Sequence, residues 1–283
     1  MVKTIFDALT EGTKILEKSN IESYISDAKI LLCHILKKDK SYLTVHKTDE
    51  IKESDYNKYI ELIKMRSKKT PVKYLTGVCE FYSLQFKVNS SVLIPRPDTE
   101  IIIDTLIDKI DKECSLSILD LCTGSGCIGI TLATIFKNSN VTLVDISDEA
   151  LDVCSFNVLK HNINDRAKII KKDILNDTVD KKYDLIVSNP PYINEDDFLG
   201  LEDDVKKYEP FIALVSPDDE YKFYKRIIDV FYNNLNDGGY MLLEMGINQW
   251  KYLYDYSVKS NKFKSVEIIK DLAKIERVLC LKK

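Results

Sequence analysis

The chain has 283 residues, 45% of them apolar and 30% charged, with 41 basic against 45 acidic side chains for a formal charge of −4. That length suits about two domains, the scarcity of glycine and proline argues against disorder or low complexity, and the acidity lowers the expectation of a face that holds nucleic-acid phosphates. No apolar run approaches the roughly 18 residues that span a membrane, and the N-terminus lacks a signal-peptide core, so a cytoplasmic protein is expected.

From Lys3 to about Lys68 the apolar spacing is helical. Ile5, Leu9 and Leu16 come first, then Tyr24, Ala28, Leu31, Leu32 and Ile35 after a cap candidate at Asn20, then Tyr56, Ile60 and Ile63 after a cap candidate at Ser54. This predicts a helical bundle over residues 1–70, with its stripes read as core and a partner-binding surface as the second reading. Lys68-Lys69-Thr70-Pro71 ends it, because proline disfavours helix in the residue before it. Between Tyr74 and Ile94 the period changes: Gly77 and Asn89-Ser90-Ser91 punctuate Phe81, Leu84, Phe86 and Val88 in strand-like alternation, so a β-hairpin linker is expected over 71–95.

Residues 96–283 form the third segment. Arg96-Pro97-Asp98-Thr99-Glu100 opens a helix, with Thr99 or Asp98 as cap. Strands are then expected at Leu116 to Leu121, Val141 to Ile146, Lys168 to Lys171 and Tyr183 to Val187, alternating with helices at Gly126 to Phe136 and Ala150 to Leu159. Such alternation predicts an α/β fold, a mostly parallel, Rossmann-like sheet with helices on both faces. A helix carrying Phe223, Ile227, Val230, Phe231 and Leu235 follows, then a turn at Asn236-Asp237-Gly238-Gly239 and a strand at Tyr240 to Met245. Phe263 to Ile269 and Ile275 to Leu281 are expected to finish the sheet as an antiparallel pair.

Two stretches carry chemistry. Leu119-Asp120-Leu121-Cys122-Thr123-Gly124-Ser125-Gly126 joins a strand to a helix, and Gly129 completes a Gly-x-Gly-x-x-Gly spacing that lets the backbone pass close under a ligand. About 20 residues on, Asp145 ends the next strand, where a carboxylate accepts both hydroxyls of a ribose. Its other reading is a helix-leading cap before Asp148 and Glu149. These features alone fit either a nicotinamide dinucleotide or S-adenosylmethionine.

The second stretch is Ser188-Asn189-Pro190-Pro191-Tyr192, at the carboxyl end of the Tyr183 strand, where open α/β sheets bind ligands. A planar amide or amine nitrogen has its lone pair delocalised, and acceptors can orient it. The Asn189 side-chain oxygen and the Pro190 carbonyl would each accept one N–H of an –NH2 group while the Tyr192 ring stacks on its plane. Orientation in line with an electrophilic methyl then replaces base catalysis. A plain strand-to-loop turn is the other reading of the same residues. A hydride enzyme has no obvious use for this turn, and a methyl donor does. No proline is followed by cysteine, so covalent carbon methylation is unsupported. The cysteines Cys33, Cys79, Cys114, Cys122, Cys127, Cys154 and Cys280 are dispersed, and His34, His46 and His161 are isolated, so reduced thiols and no metal site are expected. Cys122 and Cys127 read as small core residues.

Tyr74-x-x-Gly77-x-x-Glu80-Phe81-Tyr82, Val92-Leu93-Ile94-Pro95-Arg96-Pro97-Asp98-Thr99-Glu100, the glycine loop, Asn189-Pro190-Pro191-Tyr192, Glu209-Pro210 with Ala213-Leu214, and Glu244-Met245-Gly246 with Gln249 are spread over nearly the whole chain. In these the sequence resembles the HemK/PrmC-type release-factor glutamine methyltransferases. The resemblance implies methylation by S-adenosylmethionine of the glutamine side-chain amide in the Gly-Gly-Gln motif of class I peptide release factors, with the helical domain docking that protein substrate. Carried over by position, Cys122, Thr123, Gly124, Ser125, Gly126 and Asp145 would hold the donor, with Ile174 against adenine next to Asp173. Asn189, Pro190, Pro191 and Tyr192 would hold the glutamine. The sequence departs from the family pattern with Cys122 in place of a glycine, Ile174 in place of a frequent aromatic, and Lys274 and Glu276 within the stretch between Asp271 and Arg277.

Three alternatives remain open at this level. Amino methylation of adenine or cytosine in DNA needs base flipping and phosphate binding, and Glu195-Asp196-Asp197 and Glu202-Asp203-Asp204 beside the site argue against it, although they could be only a solvated loop. Methylation of a ribosomal-protein glutamine would share the chemistry and differ in docking. Binding of a ribosomal partner without catalysis leaves the glycine loop and the Asn189 turn unexplained. A monomer, no direct nucleic acid and no membrane are expected.

Overall fold

A computed structural model of the chain describes residues 3–283. In chain order the elements are α1 (Ile5–Lys18), α2 (Tyr24–Leu36), α3 (Lys40–Val45), α4 (Glu53–Ser67), α5 (Val72–Thr76), β1 (Val78–Phe81), β2 (Leu84–Lys87), α6 (Glu100–Lys109), β3 (Ser117–Leu121), α7 (Cys127–Ile135), β4 (Asn140–Asp145), α8 (Asp148–Lys160), β5 (Ala167–Lys171) and β6 (Tyr183–Ser188). They continue as α9 (Glu195–Leu199), α10 (Asp203–Tyr208), α11 (Phe211–Leu214), α12 (Lys222–Val230), β7 (Leu235–Glu244), α13 (Trp250–Lys259), β8 (Ser265–Lys270) and β9 (Glu276–Lys282). Contacts divide the chain into a helical unit up to Val78 that also counts Glu202–Tyr208, and a sheet unit of Cys79–Leu201 with Glu209–Lys283.

The helical unit closes around Ile5, Ala8, Leu16, Ala28, Leu31, Leu32, Tyr59 and Ile63. Thr4 and Asp7 form a reciprocal capping box that starts α1. Two expected caps move. Asn20 lies beyond α1 at φ +54, a conformation asparagine tolerates, and the cap position of α2 is Ser23. Ser54 lies inside the first turn of α4, whose cap position is Lys52. The unit runs on to Val78 rather than ending near residue 70, because Pro71 leads into α5, whose Val72 and Leu75 pack on the helical core. The hairpin occupies β1 and β2, and its two connecting residues, Tyr82 at φ +49 and Ser83 at φ +61, take the left-handed pair that a tight two-residue turn needs.

The sheet unit has seven strands in the order β5-β4-β3-β6-β7-β9-β8. β3 pairs parallel with β4 and β6, β4 with β5 and β6 with β7, while β9 pairs antiparallel with both β7 and β8. The strands read as continuous apolar runs because both faces are covered. Ile118, Leu185, Val187, Leu242, Val278 and Cys280 point to one core, with α6 and α7 residues such as Ile102, Leu106 and Ile130. Their neighbours Leu119, Ile186, Met241, Leu243, Leu279 and Leu281 point to the other, with Tyr224 and Ile227 of α12 and Leu253 of α13.

Two local expectations fail here. The helix α12 ends at Val230 and gives way to a 3₁₀ turn, Phe231–Asn234, so Leu235 starts β7. Asn236-Asp237-Gly238-Gly239 lies inside β7 rather than forming a turn before it: the register with β6 jumps from Tyr183–Leu235 to Leu185–Tyr240, and Gly238 at φ +81 absorbs the bulge. A Cβ on Gly239 would come within 2.8 Å of the Asp184 carbonyl, so the backbones meet there with no room for a side chain.

Candidate active site

Parallel pairing of β3 with β4 and β6 brings three strand ends side by side. Those ends carry the glycine loop, Asp145 and Asn189. The loop is tied from both sides: the Thr123 N–H donates to the Val144 carbonyl at 3.0 Å and the Gly124 N–H to Asp145 Oδ2 at 2.8 Å. Asp120, fully buried at the end of β3, accepts from the Thr123 hydroxyl at 2.6 Å and from the Gly129 N–H at 2.9 Å, both through Oδ2. Its Oδ1 has no hydrogen-bond partner among the described residues. Burial pushes the Asp120 carboxyl up to about 7, against those two donors. A Cβ on Gly129 would stand 2.6 Å from Leu143 Cδ2, so α7 approaches β4 and Asp120 only because that residue is glycine.

Asp145 is not the cap of α8; Ser147 is, accepting from the Ala150 N–H at 3.1 Å. Asp145 instead accepts from the Ser147 N–H at 3.1 Å through Oδ1. Burial raises its carboxyl, and the Gly124, Ser147 and Ile146 N–H groups oppose the rise.

A cavity of about 270 Å³ opens at these strand ends. Of the residues expected to form the site, Cys122, Thr123, Gly124, Ser125, Asp145, Asp173, Ile174, Asn189 and Pro191 line it. Gly126, Pro190 and Tyr192 do not. Gly126 starts α7 at φ +82, with Ile130 and Cys154 against the position of a Cβ. Tyr192 is held behind the wall, its hydroxyl 3.5 Å from Glu244 Oε1 and its carbonyl accepting from Gln249 Nε2 at 2.9 Å. Burial pushes the Tyr192 hydroxyl well up, and Glu244 adds to it.

The pocket also has walls that sequence reasoning assigned elsewhere. Ser91, Val92, Leu93, Pro95, Arg96 and Thr99 come from the stretch read as a linker end and a helix start, and Phe223 from a helix read as core. Arg96 is fixed by Glu209, with 2.6 Å between Nη2 and Oε1, and the other Glu209 oxygen accepts from the Ile94 N–H at 3.2 Å. Signals existed in the prolines around Val92–Arg96, which is neither helix nor strand, and in the isolated Glu209-Pro210. The acidic runs after the site lead α9 and α10, where carboxylates favour helix N-termini.

The site suits S-adenosylmethionine on its own observations. Over Gly124, at φ +53, a Cβ would meet nothing within 4 Å, which is open space above the loop for a ligand. Asp145 offers a carboxylate to ribose hydroxyls, and Ile174, 4% exposed, offers an apolar wall. Cys122 adopts φ +56 and Lys274 φ +64, the left-handed region that favours glycine, at two of the positions where the sequence departs from the family pattern.

Family models for a methyltransferase small domain and for a PrmC N-terminal domain match residues 99–201 and 7–77. The chain is 43% identical over 279 residues to a release factor glutamine methyltransferase of Clostridium botulinum, covering 98% of each chain. It is 40% identical over 277 residues to one of Clostridium acetobutylicum, covering 97% of each. The crystal structure of a methyltransferase from Pyrococcus furiosus superposes with a TM-score of 0.52 at 19% identity, over 72% of this chain and 90% of that one, and shows the shared fold.

Proposed function

The chain belongs to the release factor glutamine methyltransferases, and on that premise we propose that it transfers a methyl group from S-adenosylmethionine to the side-chain amide nitrogen of the glutamine in the Gly-Gly-Gln motif of class I peptide chain release factors. The observation that carries this reading is one cavity walled by the glycine loop and Asp145 on one side and by Asn189 and Pro191 on the other. S-adenosylmethionine, when bound, supplies a methyl group on a sulfonium, an electrophile that needs no activation by the protein.

The chain's own residues hold and aim. The loop from Cys122 to Gly126 and the Asp145 carboxylate take the donor, with Asp173 and Ile174 at its adenine. Asn189 Oδ1 and the Pro190 carbonyl accept the two amide N–H bonds, which fixes the plane of the glutamine amide and turns its nitrogen toward the methyl group. Pro191 and Tyr192 shape the wall behind it. The new N–C bond replaces S–C, the bonding pair stays on sulfur, and one amide proton leaves to water. A cytoplasmic monomer with no nucleic-acid partner completes the proposal.

The test is mass spectrometry of a class I release factor after incubation with the protein and S-adenosylmethionine, beside a duplex DNA sample. One added methyl on the Gly-Gly-Gln glutamine is expected. An unmodified release factor with methylated DNA would overturn the substrate. Asn189→Ala is expected to lower methyl transfer by about 100- to 1000-fold while the donor's Kd stays near wild type, and normal turnover in that variant would remove the orienting role.

A further inference from the structure

The turn that holds the glutamine amide has few groups with which to fasten itself. Pro190 and Pro191 carry no N–H, and the Pro190 carbonyl is kept for the substrate, so the turn must be gripped from outside. Resting on the function proposed above, we infer that Gln249 is a positioning residue: its side-chain amide grips the Tyr192 carbonyl and thereby fixes where Asn189 and Pro190 stand for methyl transfer.

Gln249 is 4% exposed and occupies the cap position of α13 without using its side chain as a cap, so the amide is spent elsewhere. Its Oε1 accepts from the Gly246 N–H at 2.9 Å, and the Tyr224 hydroxyl lies 3.3 Å from the same oxygen. Its Nε2 donates to the Tyr192 carbonyl at 2.9 Å and to Glu220 Oε2 at 2.9 Å. These partners admit one orientation of the amide. A backbone N–H only donates, whereas a carbonyl and a carboxylate only accept, so turning the amide over would lose the Gly246, Tyr192 and Glu220 bonds together. The backbone makes way for it: a Cβ on Gly246 would lie 3.0 Å from Gln249 Oε1 and 3.1 Å from Tyr192 Cδ2.

The bond completes a frame around the turn. Before it, the Ser188 hydroxyl donates to the Leu121 carbonyl at 2.7 Å, next to the loop that begins at Cys122. After it, the Ile193 N–H donates to the Leu214 carbonyl at 3.0 Å and the Ser216 N–H to the Ile193 carbonyl at 2.9 Å. Two contacts within the turn are long and made by side chains, Asn189 Nδ2 to Thr99 Oγ1 at 3.4 Å and the Tyr192 hydroxyl to Glu244 Oε1 at 3.5 Å. The Gln249 bond is shorter and ends on the main chain, which carries Asn189 and the Pro190 carbonyl with it. Glu220 stands just before α12, whose Phe223 walls the same cavity, so one amide joins the turn, the end of β7 and that helix.

The experiment measures kcat, KM for a class I release factor, Kd for S-adenosylmethionine and the unfolding midpoint. The proteins are wild type, Gln249→Met, Glu220→Gln, and Gln249→Glu combined with Glu220→Gln. Gln249→Met keeps the length without the N–H groups and should lose about 100-fold in kcat, the scale of a misplaced reacting group, with KM and Kd little changed. Glu220→Gln leaves an acceptor oxygen for Gln249 and should keep kcat within about 3-fold of wild type. The combined exchange moves the amide to position 220, so the bond between the two side chains and the midpoint return. Tyr192 still lacks its N–H, and kcat should stay about 100-fold down. Wild-type kcat in Gln249→Met, or kcat that returns with the midpoint in the combined variant, overturns the role. Should Gln249→Met fail to fold, the combined variant decides by its kcat; failure of both to fold would overturn the role, because the amide would then hold the fold and not the site. Should wild type methylate no release factor, the proposed function fails, and the grip is still read by backbone hydrogen exchange over 189–193, where Asn189, Tyr192 and Ile193 carry the amides. That exchange should quicken about 10-fold in Gln249→Met with β6 unchanged, and equal rates would overturn the grip.

Discussion

Asp27 in the helical unit and Asp120 in the sheet unit are both nearly free of solvent, 6% and 0% exposed, yet their surroundings differ in kind. Asp27 faces a guanidinium: Arg66 Nε meets its Oδ2 at 2.7 Å, the Ser23 hydroxyl donates to the same oxygen at 2.7 Å, and the rest of Arg66 reaches the Lys69 and Thr70 carbonyls and Asp204. Asp120 meets only a hydroxyl and one N–H and keeps an oxygen unpartnered, as Glu244 does. A buried charge answered by an opposite charge is the arrangement of a scaffold. Buried carboxylates answered by neutral donors, at strand ends beside a cavity, are arranged for chemistry or for a ligand.

The contrast can be broken most strongly on the helical side. Arg66→Ala leaves Asp27 buried and unpaired and should cost about 3–5 kcal/mol of stability, read as a lower denaturant midpoint. Asp27→Leu with Arg66→Met should return the midpoint to wild type or above it. Trp250, the single tryptophan, lies in α13, so its fluorescence follows the sheet unit while circular dichroism follows both. A single variant as stable as wild type would show that the pair is not needed.

On the sheet side the contrast sharpens with pH. A carboxyl raised from 3.8 to about 7 holds its proton more tightly folded than unfolded. The stability this gives is full below about pH 4 and is lost as pH rises to about 7. The loss should be about 4 kcal/mol for Asp120, and the Trp250-reported slope should flatten in Asp120→Asn. An unchanged slope would assign the titration elsewhere.

The smallest test concerns an exception. Tyr59 is fully buried in the helical unit, its hydroxyl without a partner among the described residues and packed so that a Cβ on Gly12 would lie 2.1 Å from it. That group is neutral, so removing it should cost nothing: Tyr59→Phe is expected to gain about 1 kcal/mol. A loss would mean that the hydroxyl has a partner such as bound water.

The sheet was legible because its strands send successive apolar residues to opposite faces, as Leu185, Ile186 and Val187 do, and because glycine and proline bound them. That Asp145 and Asn189 stand at strand ends beside the cavity was legible because such runs show where a strand stops. The cap at Asn20 was misread because asparagine suits both a helix start and the left-handed exit from a helix, and only packing chooses. The β7 bulge was misread because Asn-Asp-Gly-Gly is equally good turn chemistry. Thr99 and Glu244 had motif signals but no visible role. A threonine at a helix start reads as a cap, and a glutamate closing an apolar strand reads as contact with solvent. Glu244 comes beside the Asn189 turn only when β6 and β7 lie side by side, a pairing of residues far apart in sequence.

The order β7-β9-β8 places a late strand inside the sheet. As the chain emerges from a ribosome, β3 to β7 can pair in turn, but β8 has no sheet neighbour until residues 276–282 appear. Until then β7 is an open edge, and Arg277, which bridges Asp98 and Asp271, is not yet in place beside Glu244. The nascent protein would therefore carry a nearly complete sheet and an unfinished site until β9 has been made.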